Sequence, residues 1–174
     1  MTQIKNRSVT TRALEKRSKK VTLCTQCGDI HCKGFWYAPD SQFALTIDDT
    51  RDSVTYNLCP ACEMQNEGSY AGVLQVAHIP ENMLASVFSV IQQVVENDAA
   101  ENPQRRVLEV AAETDGYILK TTSAGMVSRI GRKILDTFDG CEARSAYKKG
   151  NESLQVTHIT FAIRSYFGHS LTNN

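Results

Sequence analysis

Two pairs of cysteines define the chemistry open to this sequence. Cys24-Thr25-Gln26-Cys27 and Cys59-Pro60-Ala61-Cys62 are CxxC pairs separated by thirty-one residues. The two-residue gap lets both thiolates of a pair face one ion while backbone N–H groups behind them donate to sulfur. Gly28 follows the first pair and supplies the permissive φ such a turn wants, and Pro60 stiffens the second turn. Four thiolates complete the tetrahedron of a Zn²⁺ ion with no open position, so the expected ion is structural rather than catalytic. The separation exceeds the roughly 15–20 residues of the commonest finger and fits a zinc ribbon whose strands lie between the knuckles. The competing chemistry is thiol redox, which needs a helix starting at the cysteines in a βαβ context. Both pairs are read here as flanked by β-prone turns. His31 and Cys32 lie close to the first pair, but the four-cysteine set is complete without them. Cys141 reads as a small buried hydrophobe.

The elements that must position those thiols follow from patterning. Residues 1–20 hold too few apolar side chains to bury a face and read as a basic flexible arm. From residue 21 the chain is cysteine-punctuated and β-prone. Short strands are expected at 34–37, 43–47 and 54–58, with a polar turn at 48–53. Pro80 opens a helix in which Leu84, Val87, Phe88, Ile91, Val94 and Val95 recur at spacings of three and four down to Glu96. Residues 97–103 are polar and stop it. A second unit follows: strands at 107–111 and 117–121 joined by an Asp115-Gly116 hairpin turn, then a helix capped by Ser123. That helix carries Val127, Ile130, Ile134, Leu135 and Phe138 and ends at Asp139-Gly140. Strands at 141–147 and 154–161 follow, around a turn at 148–151. The expected fold is α+β: a basic arm (1–20), a four-cysteine zinc ribbon with a following helix (21–100), a β-β-α-β-β module (104–165) and a tail (166–174).

The length of 174 residues, with 41% hydrophobic and 22% charged side chains, allows one full domain or two small ones and a real core. A barrel enzyme or a complete dinucleotide-binding fold with its own substrate domain is too large to fit. Net charge is zero, but the charge is unevenly placed. Residues 1–20 carry seven basic side chains and one acid, residues 34–100 carry Arg51 alone against nine acids, and residues 101–150 carry nine basic against seven acidic.

No stretch approaches the roughly 20 apolar residues of a bilayer span. The basic start lacks the apolar run of a secretory signal. Its composition also fits a mitochondrial transit peptide, but the expected compartment is the cytoplasm, where thiols stay reduced and cysteines serve as metal ligands. A glycine-rich phosphate loop, a nucleophile elbow and an HExxH helix are all missing from the sequence. Asp48, Asp49 and Asp52 lack calcium-loop spacing. His78, His158 and His169 have no carboxylate or cysteine at catalytic spacing. The chain is therefore expected not to be an enzyme.

The arrangement resembles a family of small, mostly uncharacterised bacterial zinc-ribbon proteins, sometimes labelled as ATPases. The residues that carry the likeness are Cys24 to Gly28, His31-Cys32-Lys33-Gly34-Phe35-Trp36, Leu58-Cys59-Pro60-Ala61-Cys62, Ala71-Gly72-Val73-Leu74 and the unit from Arg105. The likeness covers about residues 5–165. That family is in turn similar to the N-terminal zinc region of the archaeal and eukaryotic adaptor that binds the large ribosomal subunit and escorts its nuclear export. The adaptor region carries further CxxC pairs, where this chain has one ribbon's worth. The resemblance implies an RNA or ribosome partner, the large subunit in particular.

Charge and aromatic placement point the same way. Lys5, Arg7, Arg12, Lys16, Arg17, Lys19 and Lys20 form an arm that can track phosphates, or merely a solubilising tail. Lys33 and Trp36 leave the first knuckle, and in an alternating strand Phe35 and Tyr37 share the face opposite Trp36. One of these aromatics can stack on a base, or serve as the core of a small domain. Arg129, Arg132 and Lys133 lie three and four apart opposite the apolar stripe of their helix. With Arg105, Arg106, Arg144, Lys148 and Lys149 they form either one basic surface or a solvated face. The leading expectation is a non-catalytic RNA- or ribosome-binding factor. The alternative is a protein–protein adaptor that docks through the ribbon and the acidic middle. A third reading is a thiol redox sensor using Cys32 or Cys24.

Overall fold

The computed structural model describes residues 19–47, 52–147 and 154–162. The arm residues Lys5, Arg7, Arg12, Lys16 and Arg17, the pair Lys148 and Lys149, and the tail lie outside them. The chain is a mixed α+β protein with two sheets and three helices among the described residues.

The first sheet has four short strands: β1 (Lys20–Cys24), β2 (Ile30–Cys32), β3 (Phe35–Tyr37) and β4 (Ser53–Asn57), in the order β3-β2-β1-β4. β1 runs antiparallel to β2 and parallel to β4. The connection from β2 to β3 is only Lys33-Gly34, with φ of 52° and 86°. Two successive positive φ values make the tight turn whose twist suits a hairpin. Lys33 therefore stands at a turn tip, one position before the strand expected to carry it. The strand expected at 43–47 is a short 3-10 turn over Ala44–Thr46. It folds beside the sheet, with Phe43 stacked on Tyr37 at 4.1 Å.

After β4 the second cysteine pair leads directly into α1 (Pro60–Glu67), with Cys59 at its N-cap and Pro60 in its first turn. This corrects the expectation of β-prone turns on both sides of the pair. Proline's fixed φ suits a helix start, and its missing N–H is one that no helix start can satisfy. The helix closes on Gly68 at φ 65°, where the N–H of Ser69 reaches the carbonyl of Met64 and that of Gly68 reaches Gln65.

The second sheet has five strands in the order β6-β7-β5-β9-β8. Its central strand is β5 (Gly72–Ala77), which the sequence reading had not assigned. The two expected hairpins, β6 (Val107–Glu113) with β7 (Gly116–Thr121) and β8 (Cys141–Tyr147) with β9 (Gln155–Phe161), flank it. β5 is antiparallel to β7 and parallel to β9. The β-β-α-β-β stretch is thus not self-contained, because its middle is supplied by residues far upstream. The helix expected to accompany the ribbon also packs on this second unit. α2 (Leu84–Glu101) lies against α3 (Ala124–Thr137), and Val87 and Ile91 join Leu74, Val76, Leu119, Met126, Val127, Ile130, Ile134, Ile159 and Phe161 in one core. Each such side chain contributes about 1.5–3 kcal/mol on burial.

Two local features explain the registers. α2 runs five residues past Glu96 because Asp98, polar in sequence, is buried against Arg129 and so continues the helix. The turn between β6 and β7 is Thr114-Asp115, and Gly116 opens β7. A Cβ on Gly116 would stand 1.9 Å from the carbonyl oxygen of Val76, so the glycine is needed for close approach of β7 to β5. Ser123 caps α3 as expected, accepting from the N–H of Met126 at 3.4 Å.

Candidate metal centre

The four cysteines of the two CxxC pairs come together. Each offers one sulfur, and the four sulfurs of Cys24, Cys27, Cys59 and Cys62 lie within 4.8 Å of one another, close enough to hold one metal ion. All four are free thiols, with Cys27 Sγ 3.6 Å from Cys59 Sγ. The first knuckle is built by β1 and the turn after it. The N–H of Cys24 donates to the carbonyl of Asp29 at 2.8 Å, and the N–H of Gly28 to the carbonyl of Cys24 at 3.1 Å. Gly28 sits at φ 79°, which a side chain there would strain. The second knuckle is the first turn of α1. Cys59, Cys62 and Cys24 are buried and Cys27 is half-buried, with Ala61, Leu58 and Trp36 packed around them. Beyond the cysteines themselves this cluster holds three apolar residues, and the β1–β4 ladder with the buried Val21, Ile30 and Cys32 helps bring the two distant stretches together.

The thiols are electrostatically unequal. Burial pushes Cys24 up, but the backbone N–H groups of Cys27, Gln26 and Cys59 outweigh it and bring the thiol down to about 6. Cys27 is raised, chiefly by burial and partly relieved by Arg106. Cys62 is strongly raised, by burial first and then by the three neighbouring thiols. Four thiolates this close repel one another, and a cation at their centre would offset that repulsion.

Three residues outside the cysteine pairs complete the centre. The Nη2 of Arg106 lies 3.3 Å from Cys27 Sγ and pairs with the buried carboxylate of Asp29, while its Nη1 lies 3.9 Å from Cys62 Sγ. Gln104 donates from Nε2 to Asp29 Oδ2 at 2.6 Å and accepts from the N–H of Ala61 at 3.0 Å. Asp29 is raised by burial, against the pull of Arg106. None of the three was singled out as part of this site from sequence. The only local signal is an acid directly after the Cys27-Gly28 turn; Gln104 and Arg106 lie in what read as a polar helix stop and its sequel.

The other expected contact residues are placed as follows. Lys19 donates from Nζ to the carbonyl and hydroxyl of Thr46, at 2.7 and 2.9 Å, and stands 5.2 Å from the Phe43 ring centre. Lys20 and Lys33 are exposed. Trp36 is half-buried against the cysteine cluster, with its ring 5.0 Å from that of His31, so the exposed aromatic of β3 is Phe35 at 67%. Arg129 grips Asp98 of α2, whereas Arg132 and Lys133 are exposed on α3. Arg105 pairs with Glu101 and Arg106 with Asp29, so part of the charge counted toward a basic surface is already engaged within the protein. Cys32 is buried in β2 and His31 is half-buried beside Trp36, and neither belongs to the four-sulfur group. Cys141 is half-buried and donates to the carbonyl of Phe138.

The chain matches no protein-family model and no curated protein. No helix among the described residues is long and apolar enough to cross a membrane.

Proposed function

We propose that the ion is zinc and that the protein is a non-catalytic zinc-ribbon factor that binds RNA or a ribosomal surface. The observation that carries the zinc reading is the closed four-sulfur group. A tetrahedral site with Zn–S bonds near 2.3 Å has sulfurs about 3.8 Å apart, and Cys27 and Cys59 stand at 3.6 Å. With four thiolates engaged, no position is left for substrate or water, so the ion serves to fold the ribbon. Such binding supplies about 10–16 kcal/mol, ample for a unit with so small a core.

The ribbon then becomes a rigid mount for exposed groups. Lys33 at the hairpin tip, Phe35 beside it and Lys20 on β1 offer charge and a stacking face, and the arm with Arg7, Arg12, Lys16 and Arg17 adds a phosphate-tracking segment. Arg132 and Lys133 on α3 are the second contact. The resemblance of the 31–36 segment to bacterial zinc-ribbon proteins supports the same reading, with the large ribosomal subunit as partner and the cytoplasm as compartment. The test is RNase-sensitive co-sedimentation of the full chain with ribosomes, repeated across a salt series. If six arm charges neutralise phosphates, log K falls with log salt at a slope of about −4 to −5. A flat response removes the arm, and sedimentation indifferent to RNase removes RNA.

One observation favours the second reading, a protein adaptor. Residues 21–162 carry eleven basic side chains against eighteen acids, a balance of −7. Within them Arg105, Arg106, Lys120 and Arg129 already sit in internal ion pairs. A body so charged repels phosphate and suits a basic protein surface. Binding to a single purified protein in the absence of RNA selects this reading.

A further inference from the structure

The segment 102–106 touches both knuckles at once. Gln104 uses the two ends of one side-chain amide, its Nε2 on Asp29 beside the first knuckle and its Oε1 under the N–H of Ala61 inside the second. Arg106 repeats the pattern with sulfur, reaching Cys27 of the first pair and Cys62 of the second. An amide's nitrogen and oxygen are a fixed distance apart, so Gln104 can make both bonds only while the knuckles stand at their closed spacing. Asp29 is held to the same condition, because its carbonyl accepts the N–H of Cys24 and so follows the first knuckle.

The other side of this segment is bonded to the second sheet. Thr122 donates from Oγ1 to the carbonyl of Gln104 at 2.7 Å and accepts the N–H of Arg106 at 2.8 Å. Its own N–H donates to the carbonyl of Arg106 at 3.0 Å. Thr122 stands between the end of β7 and Ser123, the N-cap of α3, whose carbonyl accepts from Thr121 Oγ1 at 2.9 Å. A continuous path of short polar contacts therefore runs from the four sulfurs to the start of α3.

We infer that Gln104 and Arg106 gauge whether the two knuckles are closed and transmit that state to the β7–α3 turn, so that metal occupancy of the ribbon sets the local stability of that one corner of the second sheet. The inference rests on the zinc reading above and adds a coupling between two parts of the molecule. Opening the knuckles withdraws Asp29 and Ala61 from Gln104, the 104–106 backbone loses its anchor, and Thr122 loses a fixed partner. By linkage the effect is reciprocal: loosening the Thr122 contact weakens metal retention. Gln104, Arg106 and Thr122 are positioning residues, since none of them is a ligand.

The test is amide hydrogen exchange of the full chain, zinc-loaded and after stripping by a chelator. Stripping is expected to accelerate exchange at the knuckles and, by about tenfold, at 105–108 and 121–126, within the span of ordinary coupling between sites. Residues 84–101 and 155–161 keep their protection. In Gln104→Ala and Thr122→Val, stripping still opens the knuckles but leaves exchange at 121–126 unchanged. Thr122→Val keeps the side-chain shape and lies away from the sulfurs, so it remains informative if a change at Arg106 prevents folding. Unchanged exchange at 121–126 in the stripped natural chain, uniform acceleration everywhere, or variants that respond like the natural chain overturn the inference while leaving the zinc reading intact. A full chain that holds no metal at any zinc concentration overturns both.

Discussion

Arg129 of α3 binds both carboxylate oxygens of Asp98 of α2, with Nε 2.7 Å from Oδ1 and Nη2 2.5 Å from Oδ2. The pair is lopsided, since the Asp98 side chain is 4% exposed and that of Arg129 44%. Removing either partner therefore has different consequences. Arg129→Ala leaves a carboxylate buried with Arg105 as a remote partner, whereas Asp98→Ala leaves a guanidinium that water can reach. Arg129→Ala is expected to cost about 2–3 kcal/mol and Asp98→Ala about 1 kcal/mol. Urea unfolding of the two variants checks the order, and equal losses would show that the burial argument is wrong.

Each of Cys24, Cys27, Cys59 and Cys62 is expected to help hold the ion. A single change to serine at any of them is expected to weaken cobalt binding and reduce the intensity of the thiolate-to-cobalt charge-transfer band, whereas Cys32→Ser and Cys141→Ser keep it in full. A band undiminished by loss of Cys59 requires a different ligand set.

Acid is expected to release the metal. Cys24 is held at about 6 in the fold against 9.0 for a free thiol, with burial raising it and the N–H groups of Cys27, Gln26 and Cys59 more than compensating. The folded form thus favours the thiolate. The stability this gives is fully present above the free-thiol value and is lost as pH falls through about 6. Protons then compete with the ion for all four sulfurs. Titration with a chromophoric chelator should find the ion released as pH is lowered, and retention indifferent to pH would contradict the assignment.

Gly116→Ala is expected to be poorly tolerated. The added Cβ meets the Val76 carbonyl oxygen and the Ala77 backbone, and backbone atoms cannot rotate away as a side chain can. A loss of about 1–3 kcal/mol follows from the forced separation of β7 and β5. The melting temperature of the variant measures it. Gly34→Ala provides a contrast: nothing lies within 4 Å of its Cβ, so only the positive φ opposes the change.

What the sequence revealed was what local rules encode. The CxxC spacing named the four sulfurs, and Ser123, the apolar stripe from Val127 and the strands expected at 141–147 and 154–161 (observed as Cys141–Tyr147 and Gln155–Phe161) follow from capping and periodicity. The failures share one cause, dependence on a distant partner. β5 carries no hairpin signal of its own, because both of its neighbours, β7 and β9, come later in the chain. The last turn of α2 reads as a polar stop until Arg129 arrives to neutralise Asp98. Arg106 counted as one more cation for a nucleic-acid surface, and only the fold sets its guanidinium on sulfur and Asp29. Trp36, offered as a base-stacking platform, lies against the cysteines.

The parallel pairing of Gly72 with Gln155 through Ala77 with Thr160 fixes an order of assembly. The middle strand of the larger sheet is synthesised before either neighbour, and its last neighbour is the final strand of the described chain. Contacts of such long sequence separation form slowly, and until they form the apolar edge of 72–77 stays open to other chains. The four cysteines, by contrast, have all been made by residue 62, ahead of Gln104 and Arg106, which complete their surroundings. Should the proposed ion bind as these residues emerge, the cysteine-bearing head closes before the strand at 72–77 has a neighbour.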